Sequence, residues 1–237
     1  MRDIGLIGYG RFGKVLADIL DVNYNVKIYD SNKNSDVKRK FYQLDEVLDS
    51  ALVFLSVPIR SFEEVVKNAA KYNLYNTTII DVCSVKVYPV SIMKKYLADH
   101  VGIIASHPHF GPDSHSPFKE LKITLYPVRD KYNRFDELKS FFESQFIRVV
   151  EIDPDEHDKM AASSQGITHF IGRVLDEAGV RSTQINTFGF NELLGVIEQT
   201  CNDSWDLFKD LQKYNPYTNE MIDNLIGTIE KIHEQIK

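Results

Sequence analysis

Gly8-Tyr9-Gly10-Arg11-Phe12-Gly13 stands between a short apolar run, Ile4 to Ile7, and a stretch of helical periodicity from Arg11 to Leu20. In a strand–turn–helix unit the first glycine of a G-x-G-x-x-G permits the tight turn, and the second lets the backbone approach a pyrophosphate. The third lets the helix pack close to the strand. The helix N-terminus then turns its partial positive charge towards the phosphates. Alone, the hexapeptide is weak evidence. Here a second strand, Val26-Lys27-Ile28-Tyr29-Asp30, ends on an acid placed to accept hydrogen bonds from an adenosine ribose. The bland alternative is that Asp30 only caps a strand end. An acid there repels a 2′-phosphate, so NAD is favoured, while Lys33, Lys38 and Arg39 close by leave NADP possible.

The same alternation continues outward from this unit. Ala51 to Leu55 is a buried strand leading into Ser56-Val57-Pro58, and Phe62 to Ala70 is helical. Thr78 to Val82 is a strand, followed by a helix from about Pro89 to Leu97. Val101 to Ala105, Ile123 to Tyr126 and Arg148 to Ile152 are further strands, with a helix over Arg134 to Ser144. After Asp153-Pro154 the strand signal stops. Glu156 to Ala178, Phe188 to Tyr214 and Asn219 to Ile236 all read as helix. The pattern predicts an α/β chain: a Rossmann-type, doubly wound, mostly parallel sheet over residues 1–153, then an all-helical domain over 154–237. Helices alone bury little in so short a domain, which predicts a homodimer through them.

Composition narrows the partners. With 28 Lys+Arg against 34 Asp+Glu the net charge is −6, and no basic block is present, so nucleic acid is disfavoured. Cys83 and Cys201 stand far apart, which suggests thiols in a reducing compartment and no cysteine metal site. No apolar run reaches the ~18 residues of a membrane span. The strand pattern begins at Asp3 and leaves no room for a targeting peptide, so the expected location is cytoplasmic, with no membrane partner.

Three segments carry candidate chemistry. Asp81-Val82-Cys83-Ser84-Val85-Lys86 leaves one strand end, and Ser106-His107-Pro108-His109-Phe110-Gly111-Pro112 comes after the next. Ligands of such sheets sit beyond the carboxyl ends of the strands, so Ser84, Lys86 and His107 are placed to look towards a nicotinamide. The third segment runs from Glu156 to Arg173. There His157, Ala161, Gln165, Thr168 and Gly172 recur at helical spacing and form a face of small and polar residues. Such a face is either a pocket wall or a close helix–helix crossing. His109 and His115 near His107 lack an acidic or thiol complement, so no metal is expected.

In order along the chain, D-x-x-S-V-K, H-P-x-F-G-P and E-H-D-K-x-A-A-x-S-Q-x-I-T-H-x-x-G-R resemble the prephenate/arogenate dehydrogenase (TyrA) family. Ile185 to Leu194 and Asp203 to Phe208 look most like its plant-type arogenate branch. The resemblance covers nearly the whole chain. It implies oxidative decarboxylation of arogenate or prephenate, with hydride passing to NAD(P), to give tyrosine or 4-hydroxyphenylpyruvate. It implies His107 as the base, an imidazole suited to proton transfer near neutrality. Ser84 would hydrogen-bond the ring alcohol or His107. Lys86 is the family's candidate partner for a substrate carboxylate, and His157 and Gln165 match pocket positions. Gly8, Gly10, Arg11, Phe12, Gly13, Asp30, Ser56, Val57 and Pro58 are the cofactor candidates. Many bacterial members have an arginine where Thr187 stands here; its loss, with Glu192 and Glu198 nearby, favours the ammonium-bearing arogenate.

Two other readings compete with this one. A non-catalytic nicotinamide sensor would bind the dinucleotide and turn over nothing, but has no use for Ser84, His107 and His157. A β-hydroxy acid dehydrogenase would use a lysine such as Lys159, and gives H-P-x-F-G-P no role.

Overall fold

The computed structural model describes residues 1–32, 39–111 and 120–237. The chain divides into two compact units, Met1–Pro154 and Asp155–Lys237. The first contains β1 (Arg2–Ile7), α1 (Arg11–Leu20), β2 (Tyr24–Tyr29), α2 (Leu44–Leu48), β3 (Leu52–Leu55), α3 (Ile59–Ala69) and β4 (Thr78–Asp81). It continues through α4 (Val87–Tyr96), β5 (Gly102–Pro108), β6 (Leu121–Arg129), α5 (Phe135–Ser144) and β7 (Ile147–Glu151).

These strands form one seven-stranded sheet in the order β2-β1-β3-β4-β5-β6-β7. The first five are mutually parallel. β6 runs antiparallel to β5, and β7 parallel to β6. The sheet is thus mostly parallel, as the alternating pattern predicts. β3, β4 and β5 are buried at every position, so apolar residues run consecutively through them until the polar groups at the ends of β4 and β5, whereas the edge strand β2 alternates. On one face Ile4, Leu6, Ile28, Phe54, Ile80, Ile104 and Leu125 pack in a single cluster with Leu16 and Leu20 of α1 and Phe141 and Phe142 of α5. Val53 points to the other face, where it and Val47 of α2 crowd Gly5.

β2 leaves β1 on one side and β3 lies on the other. The loops after β1 and β3 therefore part company, opening the crevice where sheets of this kind take ligands.

Local chemistry accounts for two departures from expectation. α4 begins two residues before Pro89, because a proline in the first turn gives up an N–H that has no helical partner. The short α2 is fixed by a Gln43–Glu46 capping box.

The second unit contains α6 (Pro154–Ala161), a π-helical segment Ala162–Gly166, α7 (Ile167–Glu177), α8 (Phe188–Cys201), α9 (Trp205–Tyr214) and α10 (Thr218–Gln235). The stretch expected as one helix over Phe188–Tyr214 is two, because the Ser204 hydroxyl caps α9 at the Leu207 N–H, 3.2 Å away. The π segment interrupts the expected Glu156–Ala178 helix. Gln212 Nε2 donates to the Gly166 carbonyl at 3.1 Å, and Ser164 Oγ to that of Met160 at 2.6 Å.

Candidate active site

The glycine turn is built as its spacing requires. Gly8 has φ +98°, and its N–H donates to the Tyr29 carbonyl at 2.9 Å. A Cβ on Gly8 would stand 2.1 Å from the Ser56 carbonyl oxygen, and one on Gly13 2.3 Å from that of Gly8. Both glycines are therefore demanded by backbone packing. Gly10 differs: an added Cβ would meet no protein atom within 4 Å, and Gly10 is the N-cap of α1. Protein packing does not explain a glycine there. A pyrophosphate drawn up to the helix N-terminus does, and the turn fits a dinucleotide on that ground.

The other cofactor candidates gather around this turn. Asp30 comes directly after β2, and its carboxylate accepts from Tyr9 N–H at 2.6 Å and from Asn32 N–H at 2.8 Å. Each oxygen retains a lone pair for a ribose hydroxyl. Ser56 comes directly after β3 and donates its N–H to the Ile7 carbonyl at 2.7 Å; Val57 is half-buried and Pro58 exposed at the start of α3. Arg11 is exposed, while Phe12 packs on the sheet cluster. Arg39, expected as a possible phosphate ligand, is held by Asp18 and Asp21 of α1. Lys33 and Lys38 lie outside the described residues.

Beside this crevice, β4 and β5 end in a buried polar network. Asp81 Oδ1 accepts from Ser106 N–H at 3.2 Å and Oδ2 from Cys83 N–H at 3.1 Å. Ser106 Oγ donates to the Asp81 carbonyl at 2.5 Å. The Lys86 ammonium pairs with the Asp81 carboxylate and donates to the Ser106 carbonyl. The sequence places Lys86 opposite a substrate carboxylate. The structure instead buries it to 1% exposure against groups that already satisfy it, so the expected role would require breaking the pair. Leaving one member of such a pair alone costs about 3–5 kcal/mol. Asp81 opens the D-x-x-S-V-K stretch, but the sequence gives it no role of its own; its local signal is an acid at a strand end five residues before a lysine.

His107, the residue after Ser106, is buried on β5 opposite Thr124 of β6. Its ring lies 4.4 Å, centroid to centroid, from that of His109, whose Nε2 is 2.7 Å from Thr124 Oγ1. Phe110, next along, packs 6.1 Å from Phe12 of the glycine turn. The histidine segment and the glycine turn thus meet through two aromatic rings. Ser84 is half-buried in the loop that leaves β4. His115 lies outside the described residues.

In the helical unit, His157 is buried and its Nδ1 lies 2.8 Å from Asp158 Oδ1; Asp158 is fully buried, and its carbonyl accepts from Asn215 Nδ2 at 2.8 Å. Asp158, which adjoins His157 in the sequence but is not singled out there, is thus the buried partner of that imidazole. The single face expected through His157, Ala161, Gln165, Thr168 and Gly172 does not survive, because a π turn inserts a residue and rotates the rest of the helix by roughly 100°. Ala162 and Gly166 are buried in place of Ala161 and Gln165, which are half-exposed. At Gly172 the close crossing holds: a Cβ would stand 2.0 Å from Thr200 Oγ1 of α8. Thr187 is the N-cap of α8, accepting from Phe190 N–H at 3.3 Å, and Glu192 and Glu198 are exposed on that helix. Arg173 binds the carbonyls of Thr200, in the last turn of α8, and of Asp203, just beyond it, and lies over the Trp205 ring. Burial lowers the pKa of His169, one turn earlier; Asp203 opposes the shift and Arg173 adds to it.

Known proteins resemble this chain along most of its length. The family described as prephenate dehydrogenase, nucleotide-binding domain, matches residues 22–151, and the TYRAAT1-like C-terminal domain matches residues 174–237. Arogenate dehydrogenase 2, chloroplastic, of Arabidopsis thaliana is 32% identical over 98% of this chain and 69% of its own length. Arogenate dehydrogenase 1, chloroplastic, of the same plant is 31% identical over 98% of this chain, which spans only 39% of that longer protein. The crystal structure of prephenate dehydrogenase from A. aeolicus, in complex with hydroxyphenyl propionate and NAD+, superposes with a TM-score of 0.77 at 19% identity. That match covers all of this chain and 91% of the other.

Proposed function

Because the chain belongs to the prephenate/arogenate dehydrogenase family, we propose that it oxidises and decarboxylates arogenate or prephenate, with NAD(P) as hydride acceptor. The products would be tyrosine or 4-hydroxyphenylpyruvate. The observation that carries this reading is that the glycine turn, Asp30 and the His107 segment all stand at the carboxyl ends of the parallel strands β1, β2 and β5, with Phe12 of the turn packed against Phe110.

Bound at the glycine turn, the nicotinamide supplies an acceptor for the hydride that leaves the carbinol carbon. His107 takes the proton of the ring alcohol, and Ser84 hydrogen-bonds that alcohol or the imidazole and fixes the direction of transfer. The ring carboxylate then leaves as CO₂ and the ring becomes aromatic, which drives the sequence forward. His157 and Gln165 are proposed substrate contacts from the helical unit. Asp158 beside His157 Nδ1 fixes the orientation of that ring.

NAD is the favoured cofactor, because Asp30 faces the turn while Arg39 is engaged by two acids. Arogenate is the favoured substrate: Thr187 brings no charge, Glu198 stands on the same helix, and the two plant relatives bear that substrate's name. Lys159 does not suit a β-hydroxy acid dehydrogenase, being exposed and paired with Asp155 at 2.6 Å.

A homodimer is proposed through α10 and its C-cap, where Ile226, Ile229, Ile232 and Ile236 are 44%, 52%, 54% and 78% exposed, an apolar stripe that water alone would cover at a cost. No helix among the described residues is long and apolar enough to cross a membrane. The cytoplasm is the proposed compartment, on the strength of two cysteines that form no disulfide.

The test is turnover. Purified protein given each substrate with each cofactor should reduce NAD most efficiently with arogenate and release CO₂. No reduction with either substrate refutes the reading.

A further inference from the structure

We infer that Lys86 and Asp81 form a positioning pair that sets the catalytic strand ends, and that Lys86 is not a ligand for the substrate carboxylate. The inference rests on the proposed dehydrogenase reading and names how its site is held. Five contacts define the device. The Asp81 carboxylate takes the N–H groups of Cys83 and Ser106 and the Lys86 ammonium. The Ser106 hydroxyl returns to the Asp81 carbonyl, and Lys86 closes on the Ser106 carbonyl.

Ser84 lies between Cys83 and Lys86, and His107 is the residue after Ser106. The loop bearing the proposed alcohol-binding hydroxyl and the strand bearing the proposed base are thereby tied to one carboxylate. β4 and β5 are adjacent and parallel, but their ladder is registered only as far as Ile80 and Ile104. Beyond that point the side-chain network continues the strand pairing. Lys86 is 1% exposed and Asp81 is completely buried, so the ammonium has no surface from which to meet a carboxylate in solution. A lysine that bound substrate would need an open face. This one has a carboxylate and a carbonyl in its place.

The two roles separate in kinetics. Loss of a substrate ligand raises KM, whereas loosening the groups that must align in the transition state lowers kcat. The experiment compares wild type with Lys86→Met, and with the double variant Asp81→Leu/Lys86→Met, which leaves no unpaired charge to unfold the protein. Circular dichroism monitors folding, titration with NADH monitors cofactor binding, and titration with 4-hydroxyphenylpropionate monitors recognition of a carboxylate-bearing ring. We expect folded variants whose kcat with arogenate falls about 10- to 100-fold. KM and the dissociation constants of both ligands should stay within about threefold. A tenfold or greater rise in KM with kcat preserved would make Lys86 a substrate ligand and overturn the inference. Unchanged kinetics would overturn it too, as would failure of both variants to fold, which would leave the pair a purely architectural role. Wild-type protein inactive on both cyclohexadienols defeats the dehydrogenase reading itself, and with it this inference.

Discussion

The carboxylate of Asp30 accepts a 2.6 Å hydrogen bond from the backbone N–H of Tyr9, so the acid directly after β2 is fastened to the glycine turn that succeeds β1. The contact holds a negative charge where the adenosine ribose of a dinucleotide should lie. Replacing Asp30 with Asn should lower kcat/KM for NAD about tenfold, the scale of one charge-assisted hydrogen bond. The NADP value should rise as the repulsion of its phosphate disappears. An unchanged ratio of the two efficiencies would show that Asp30 does not choose the cofactor.

Gly8 and Gly10 should respond differently to alanine. At Gly8 a Cβ meets the Ser56 carbonyl at 2.1 Å and φ is +98°, which together cost about 2–5 kcal/mol and lower Tm by several degrees. At Gly10 the methyl group meets no protein atom, so Tm should hold while NADH affinity drops at least tenfold. Thermal denaturation beside cofactor titration tells the two apart, and equal losses of stability would contradict the assignment of Gly10 to the phosphates.

Gly172 tests the helical unit. Its alanine variant would push a Cβ to 2.0 Å from Thr200 Oγ1, and about 1–3 kcal/mol of stability should be lost. Adding Thr200→Ala should restore part of that loss by vacating the space. Denaturant titration of the single and double variants measures it, and strictly additive losses would mean that the two helices do not touch there.

The lowered pKa of His169 makes a pH prediction. The unfolded chain binds a proton near the ordinary value of 6.5, whereas the folded chain resists it. More protons are then bound in the unfolded state as pH falls below that value, so stability should decline from about pH 6.5 down to the depressed folded pKa and should not depend on this residue above 6.5. His169→Gln should flatten that decline. Identical slopes of Tm against pH in both proteins would rule His169 out as its source.

How much of this is legible in the chain itself depends on the range of the interactions involved. The sheet is legible because Leu52–Leu55, Thr78–Asp81 and Gly102–Pro108 are buried on both faces and carry that burial in their own composition. The glycine turn is legible because its constraints act within a few residues. The break at Ser204 carries a local signal, an Asn-Asp-Ser cluster before Trp205, which helical periodicity on either side obscures. The π segment is not legible, since Ser163 and Ser164 suit either helix and Gln212, which satisfies the Gly166 carbonyl, lies far along the chain. Nor is the partnership of Lys86, which depends on Ser106 of the neighbouring strand.

The proton acceptor is the centre of the proposed mechanism, and His107→Asn tests it most directly. Asn keeps a polar side chain of similar reach on β5 but cannot take the proton at neutral pH. Single-turnover and steady-state rates with arogenate and NAD should fall about 10²–10⁴-fold, with NADH affinity unchanged and the acidic limb of the pH–rate profile gone. Turnover within tenfold of wild type, with that limb intact, would mean that another group takes the proton.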